Sequence, residues 1–258
     1  MALIQEDIII TEFLKSIGPW KNHIVIGGGF ALFVYKLYLS NQKLANPPVT
    51  TRDIDSLISR KIPIVSDKSI ENHLKEAGFN HFFKDLNNPA TEAYVKDIDG
   101  TEIEIEFLTD NSSRSHKNKN IVIAGVVAQP LSYISLSLQR TLEFQTFSKI
   151  TGNVVTPDAW VFHKGLTFTK RKSLLKAIKD LYGIWYVLSQ LGSLSNQTLD
   201  QFKILAKQHP KWFKSFHRNL EHWLENATPN DWSKLEDQDP SGKLRKLNFE
   251  HIITMCLT

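Results

Sequence analysis

Apolar and polar positions follow one rhythm up to about residue 128 and another beyond it. In the first stretch, short apolar runs and amphipathic segments take turns, as in a chain that mixes strands with helices. From Pro130 onward, apolar residues recur at the three- and four-residue spacing of helices. We therefore predict an α+β protein in two parts: a core of mixed β-sheet and helices over residues 1–128, and a helical bundle over residues 129–258.

Within the first part, turn residues mark where the elements meet. Gly78 follows an amphipathic segment, as a glycine after a helix does. Asp99 and Gly100 separate two alternating runs, and both residue types tolerate a positive φ, so we predict a tight hairpin there. The predicted elements are helices over residues 8–17, 30–39 and 70–77, and strands over residues 23–26, 54–58, 93–96, 101–108 and 121–127.

The second part is predicted to be helical throughout. Pro157 lies where a helix would begin, and Pro210 lies where another would end or restart. All tryptophans except Trp20 fall in or before these helices, and we interpret them as core residues. The helical spacing is carried by Leu131, Ile134, Leu138 and Leu142, and again by Leu174, Leu175, Ile178, Leu181, Trp185 and Leu188.

Composition narrows the class of protein. Of the 258 residues, 41% are hydrophobic and 22% are charged, which is typical of a globular protein. The residues from Met1 to Asp7 carry neither a basic segment nor a long apolar one, so we expect no secretory signal, and no apolar run is long enough for a membrane span. A single cysteine, Cys256, excludes an internal disulfide and a cysteine-cluster zinc site. We expect a cytoplasmic protein without membrane partners.

Three glycines, Gly27 to Gly29, stand between the apolar run Ile24–Ile26 and the next predicted helix. Glycines at a strand-to-helix turn let backbone amides approach a phosphate, and the N-terminus of the helix favours the negative charge. Such a turn also serves as a plain tight connection, so this feature alone leaves both interpretations open.

Acidic residues alternate along two predicted strands. Asp53 and Asp55 project from the same face of one strand, because side chains two residues apart in a strand point the same way. Glu102, Glu104 and Glu106 do the same on the strand after the Asp-Gly turn. Each set could be a solvated strand face. If the two strands lie side by side, however, they form a cluster of carboxylates, for which Mg²⁺ or Mn²⁺ is the natural counter-ion. Glu106 is our choice for the third carboxylate, with Glu104 second.

The order of these features resembles the DNA polymerase β superfamily of nucleotidyltransferases, in which a glycine turn, a helix, Asp-x-Asp and a later acidic strand follow one another. The chain is similar in particular to the bacterial group that includes the abortive-infection and type IV toxin–antitoxin nucleotidyltransferases. In that group a Gly-Gly or Gly-Ser turn precedes a Thr-x-Asp-h-Asp segment, where h is apolar. Gly28-Gly29 and residues 51–55 match this pattern, with Gly29 where several relatives have Ser; residues 126–131 and 157–182 extend the resemblance.

The resemblance implies transfer of a nucleoside monophosphate from an NTP to a hydroxyl group, with release of pyrophosphate. Asp53, Asp55 and Glu106 would be the catalytic residues and would hold two divalent ions, Mg²⁺ or Mn²⁺. The amides of Gly28 and Gly29 would bind phosphates. A tRNA or a protein would be the acceptor, and a cognate antitoxin would be a further partner.

The resemblance also implies that Lys164, Arg171 and Lys179 bind the nucleotide. Lys164 and Arg171 are seven residues apart, which places them on one face if the helix is continuous. Lys176 and Asp180 have the spacing of a surface ion pair. The formal net charge is only +4, with a pI near 9.0. Six positively charged residues nevertheless lie close together in the sequence, and they indicate either a path for RNA or a solvated helix surface. They are Lys164, Lys170, Arg171, Lys172, Lys176 and Lys179.

Three other functions compete with this one. A nuclease of the PD-(D/E)xK type needs a lysine two residues after its second acid, and Leu108 stands there after Glu106. A nucleotidyltransferase that modifies small molecules such as antibiotics would share the same core. A non-catalytic nucleotide- or RNA-binding module is disfavoured because all three acids are present. The sequence leaves the acceptor and the preferred NTP open.

Overall fold

The computed structural model describes residues 4–41, 51–111 and 119–257. Residues 1–3, which belong to the segment in which we expect no secretory signal, lie outside the described residues. The chain forms two compact units: Met1–Tyr38 with Thr51–Thr156, and Leu39–Thr50 with Pro157–Thr258. The division therefore falls after Thr156 rather than near residue 128, because two strands beyond residue 128 belong to the sheet of the first unit.

The first unit combines helices with a mixed sheet. Its helices are α1 (Gln5–Ser16), a 3-10 turn (Gly18–His23), α2 (Phe30–Val34), which continues as a π-helix from Tyr35, α3 (Ile70–Glu76) and α4 (Ile134–Gln139). Its strands are β1 (Ile24–Ile26), β2 (Asp53–Ile58), β3 (Asn80–Phe83), β4 (Glu92–Ile98), β5 (Thr101–Asp110), β6 (Ile121–Ile123), β7 (Val126–Leu131), β8 (Thr141–Gln145) and β9 (Thr151–Val155).

The sheet places the predicted acidic strands beside each other. Its strand order is β3-β4-β5-β2-β1-β9-β8, and β7 adds to β5 and pairs with β6. The pairs β2–β5, β1–β9 and β5–β7 are parallel, while β1–β2 and β4–β5 are antiparallel. Ile54 and Ile105, which alternate with the acids, are fully buried. The apolar face of these two strands thus fixes the direction in which the acids point.

The predicted Asp-Gly hairpin is confirmed, and a second hairpin was not foreseen. Asp99 and Gly100 have φ values of 53° and 76° and connect β4 to β5. The single strand predicted over residues 121–127 is wrong: Ala124 and Gly125 also have positive φ, of 48° and 88°, and fold this segment back as β6 and β7. An alanine in that conformation is uncommon, which is why the turn is hard to recognise in the sequence.

The helix predicted from Leu131 to Leu142 is also wrong in part. Only Ile134–Gln139 is α-helical, and the chain then forms the hairpin of β8 and β9. Four apolar residues at helical spacing are too few to exclude strands, whereas Thr141–Gln145 and Thr151–Val155 contain the β-branched and aromatic residues that favour strands. These strands extend the sheet on the β1 side.

The second unit is helical, as predicted. Its helices are α5 (Pro157–Thr167), a 3-10 turn (Phe168–Lys170), α6 (Leu174–Ser189), α7 (Ser193–Gln208), α8 (Pro210–Asn226), α9 (Pro229–Glu236) and α10 (Lys246–Leu257). Phe162, Phe202 and Phe216 pack with ring centroids 4.9–5.6 Å apart at its centre. Together the two units confirm the α+β class with a helical C-terminal part. Within the described ranges, no helix has the length and hydropathy needed to cross a membrane.

Candidate nucleotidyl-transfer site

The register between β2 and β5 brings four carboxylates onto one face of the sheet. Asp53 lies directly beside Glu104, and Asp55 lies directly beside Glu106. In a parallel pair, residues at the same register position project from the same face, about 5 Å apart. We call Asp53, Asp55, Glu104 and Glu106 the acid cluster. The sequence left open which glutamate completes the set, and the register gives each aspartate its own glutamate.

The glycine turn lies against the acid cluster at Asp55. The backbone N–H of Gly27 donates to the carbonyl oxygen of Asp55 at 2.8 Å. Gly28 has φ +53°, and a Cβ atom at this residue would lie 1.7 Å from Oδ2 of Asp55. A Cβ at Gly29 would lie 2.8 Å from Cγ2 of Thr51. Only glycine permits this approach, so the turn and the first half of the acid cluster form one site.

A lysine that the sequence analysis did not identify completes the acid cluster. Nζ of Lys84 donates to Oε1 of Glu104 and to Oε1 of Glu106. Lys84 directly follows the edge strand β3, which the sequence pattern did not predict. A lysine at the end of an aromatic segment was the available signal, but without the strand nothing placed it near the acids.

The electrostatics of Glu106 reflect its neighbours. Burial raises the pKa of Glu106, and the negative charges of Asp55 and Glu104 act in the same direction. The bonds from Lys84 oppose them, but the pKa stays above its ordinary value. Glu106 therefore binds a proton more readily than an exposed glutamate does.

The acid cluster offers the donor atoms that a hard divalent cation prefers, namely carboxylate oxygens alone. Among the described residues, no three His, Cys, Asp or Glu side chains are already arranged as a metal-ligating group. Two of the four carboxylates share the ammonium of Lys84 instead. Chemistry and register thus fit Mg²⁺ or Mn²⁺, and the position of Lys84 shows that the acid cluster attracts positive charge.

In the second unit, two of the predicted nucleotide-binding cations are held by one carboxylate. Nζ of Lys164 lies 2.7 Å from Oδ1 of Asp180, and Nε of Arg171 lies 2.7 Å from Oδ2. Lys164 and Asp180 are buried, with side chains 10% and 8% exposed, while Arg171 is 38% exposed. Burial alone would raise the pKa of Asp180, but Lys164 and Arg171 outweigh it and lower the pKa. We call these three residues the Asp180 network.

The Asp180 network differs from the sequence expectations in two respects. The helix between Lys164 and Arg171 is not continuous, because α5 ends at Thr167 and a 3-10 turn follows. Asp180 forms no surface pair with Lys176 among the ion pairs of the described residues; it is buried and binds the two earlier cations. Lys179, the third predicted nucleotide-binding cation, is exposed on α6.

The sequence matches the model of one protein family and no curated protein. Among solved structures, the crystal structure of an antigenic nucleotidyltransferase-like protein from Paracoccidioides brasiliensis matches with 13% identity and a TM-score of 0.43, over 82% of this chain and 92% of that chain. A family model described as nucleotidyltransferase matches residues 6–204, a span that contains the acid cluster, the glycine turn and the Asp180 network. On that match, which extends over most of the sequence, the chain belongs to this nucleotidyltransferase family.

Proposed function

We propose that the protein is a metal-dependent nucleotidyltransferase that moves a nucleoside monophosphate from an NTP to a hydroxyl group and releases pyrophosphate. The observation that carries this proposal is the pairing of Asp55 with Glu106 beneath Gly28. It joins a carboxylate pair to a glycine turn whose backbone closely approaches Asp55. Membership of the nucleotidyltransferase family supports the reaction class.

Three members of the acid cluster and the glycine turn have tasks in this proposal. Asp53, Asp55 and Glu106 would hold Mg²⁺ or Mn²⁺, and ions bound there would neutralise phosphate charge and lower the pKa of the attacking hydroxyl. Glu106 accepts the proton of that hydroxyl, a role that requires its carboxylate to lie within hydrogen-bond reach of the hydroxyl. The amides of Gly28 and Gly29 bind phosphate oxygens of the NTP.

Lys164, Arg171 and Lys179 remain predicted nucleotide contacts because of the chemistry of their side chains. An arginine and a lysine are the side chains that bind phosphate groups most strongly. Lys164 and Arg171 bind Asp180, which fixes their side chains but also uses part of their charge. Lys179 is exposed and carries no such restriction from the Asp180 network.

We favour RNA as the acceptor, because exposed lysines follow one another just before α6 and along its first turns. Lys172, Lys176 and Lys179 are all exposed, and the latter two lie on the same side of the helix. The resemblance to abortive-infection and toxin–antitoxin nucleotidyltransferases supports a tRNA, with a protein as the other acceptor, and adds a toxin role controlled by an antitoxin.

The direct test is incubation with each α-labelled NTP, Mg²⁺ or Mn²⁺, total RNA and a protein extract. We expect label in RNA and release of pyrophosphate. Asp55→Asn and Glu106→Gln should each reduce transfer about 100-fold or more, since changes even behind metal ligands cost about 10–100-fold. Glu102→Gln, an exposed glutamate of the same strand outside the acid cluster, is the matched control and should keep most of the activity. Label in protein or in small molecules would change the acceptor, and full activity of Asp55→Asn would overturn the proposal.

A further inference from the structure

Lys84 occupies a position that the proposed reaction does not explain. Its ammonium group bridges Glu104 and Glu106, the two glutamates of the acid cluster. The side chains of this trio are 37%, 26% and 21% exposed, so the bridge is partly removed from water. A cation thus already lies at Glu106, which is proposed to receive a metal ion.

The backbone that carries Lys84 is held firmly. The N–H of Lys84 donates to the carbonyl oxygen of Thr91 at 2.8 Å, which extends the pairing of β3 with β4 by one step. In the loop that follows, Oδ1 of Asp85 accepts the N–H groups of Asn87 and Thr91 at 2.9 and 3.0 Å. Hydrogen bonds from Thr91, with a smaller part from Asn87, lower the pKa of Asp85 to about 2, so this carboxylate is ionised at ordinary pH. Lys84 is therefore presented by a fixed turn and not by a free surface segment.

The sheet also leaves room for the lysine to reach the acids. Strand β4 separates β3 from β5, so the Lys84 side chain has to cross β4. Tyr94 of β4 pairs with Ile105, so the preceding residue, Ala93, lies beside Glu106. Ala93 has a single methyl group and is buried. A larger residue there would obstruct the path from Lys84 to Glu106.

The charges of the acid cluster and of Lys84 determine the effect of the bridge on metal binding. The acid cluster brings four carboxylates together, and like charges at such spacing repel one another. One ammonium relieves part of that repulsion when no metal ion is bound. A divalent ion bound by Glu106 draws on the same carboxylate and is itself repelled by the ammonium. The two cations therefore oppose each other at one carboxylate.

We propose that Lys84 is a positioning residue that holds Glu104 and Glu106 together before metal binding and competes with the metal ion for Glu106. This inference rests on the proposed function, because it assumes that Asp55 and Glu106 bind a divalent ion. The bridge keeps the acid cluster assembled in the metal-free protein and weakens its affinity for the ion. The lysine is released when the ion binds.

The test compares Lys84→Met and Lys84→Arg with the wild type in Mn²⁺ titrations by calorimetry, after removal of bound metal with a chelator. Lys84→Met should bind Mn²⁺ about fivefold more tightly, the effect of one ion pair worth about 1 kcal/mol. It should also melt at a lower temperature in the metal-free state, because the acids then repel without compensation. Lys84→Arg keeps the charge and should return both quantities toward wild type.

Lys75→Met is the matched control. Lys75 forms an ion pair with Glu71 on α3, so this variant loses one positive charge and one ion pair away from the acid cluster. Its Mn²⁺ affinity should equal that of the wild type. In a Glu106→Gln background, the gain from Lys84→Met should disappear, since the carboxylate for which the two cations compete is gone.

The outcomes separate this inference from the proposed function. If the wild type binds Mn²⁺ and Asp55→Asn does not, but Lys84→Met has unchanged or weaker affinity, the competition is disproved while the metal site stands. If the wild type and Asp55→Asn are alike in binding no Mn²⁺, both the metal site and the competition fail. Tighter binding by Lys84→Met, lost in the Glu106→Gln background, supports both.

Discussion

At the scale of single residues, Gly28 decides how closely the phosphate turn approaches the acids. We expect Gly28→Ala to reduce nucleotidyl transfer about 100-fold or more, because a Cβ at this residue would lie 1.7 Å from Oδ2 of Asp55 and displacing a metal ligand should cost at least as much as a change behind one. The variant should also lose about 1–2 kcal/mol of unfolding free energy from the left-handed backbone. Transfer assays and thermal melting of the purified variant measure the two effects.

Gly100→Ala provides the control for backbone strain alone. Gly100 has φ +76°, and a Cβ there would meet nothing within 4 Å. This variant should show a similar loss of stability with nearly wild-type activity. Equal activities of the two alanine variants would mean that the contact between Gly28 and Asp55 does not matter for the reaction.

Residue types, their order and their spacing were enough to propose Asp53, Asp55 and one of two glutamates as neighbours, next to the glycine turn. The strand period of two places Asp53 with Asp55 on one face, and no further information is needed for that step. The pairing of Asp55 with Glu106 depends on the register between two strands that are distant in sequence, so it could be expected only as one of two choices. Lys84 could not be assigned, because its role follows from an unpredicted edge strand and a turn held by Asp85.

At the scale of elements, the Asp180 network joins the end of α5, the following turn and α6. We expect Asp180→Asn to destabilise the protein by about 3 kcal/mol at pH 7, since removing one partner of a buried pair leaves the other charge uncompensated. The pKa of Asp180 is lowered in the folded state. Its contribution is therefore complete above about pH 4, the ordinary range of an aspartate, and is lost as the pH falls through the lower folded-state pKa.

Urea unfolding of Asp180→Asn and wild type at pH 7 and pH 3 measures this dependence. The difference in unfolding free energy between the two proteins should be smaller at pH 3. Glu250→Gln, which removes an i,i+4 pair with Lys246 on α10, is the control and should cost less than about 1 kcal/mol at either pH. A difference for Asp180→Asn that does not change with pH would show that its charge is not what stabilises the second unit.

Prediction of the elements succeeded where turn chemistry is strong and failed where it is weak. The Asp99-Gly100 hairpin and the end of α3 before Gly78 follow from residues that favour positive φ. The turn at Ala124-Gly125 and the hairpin of β8 and β9 carry weaker signals, and both were missed. The second miss displaced the boundary between the units, because a sheet gains strands from any part of the chain that pairs with it. Long-range pairing of this kind is not visible in local periodicity.

At the scale of the whole molecule, the placement of charge matters more than its sum. A formal net charge of +4 is too small to require a nucleic-acid partner. The acid cluster and Lys84 belong to the first unit, whereas the exposed lysines at the start of α6 belong to the second. Of the cations predicted to form an RNA path, Lys164 is buried and binds Asp180, so it is not available as a surface contact. Exposed positions such as Lys172 and Lys176 must carry the path if it exists.

We therefore expect Lys172→Glu/Lys176→Glu to weaken RNA binding and to flatten its dependence on salt. Each phosphate contact releases a counter-ion, so losing two contacts should reduce the slope of log affinity against log salt by about 1.5. Lys15→Glu/Lys61→Glu changes the net charge equally at exposed lysines of the first unit and should leave the slope unchanged. Filter binding of labelled tRNA at several salt concentrations gives both slopes, and pyrophosphate release with a short acceptor should persist in both variants. If the α6 variant bound RNA as the wild type does, the acceptor would have to be a protein or a small molecule.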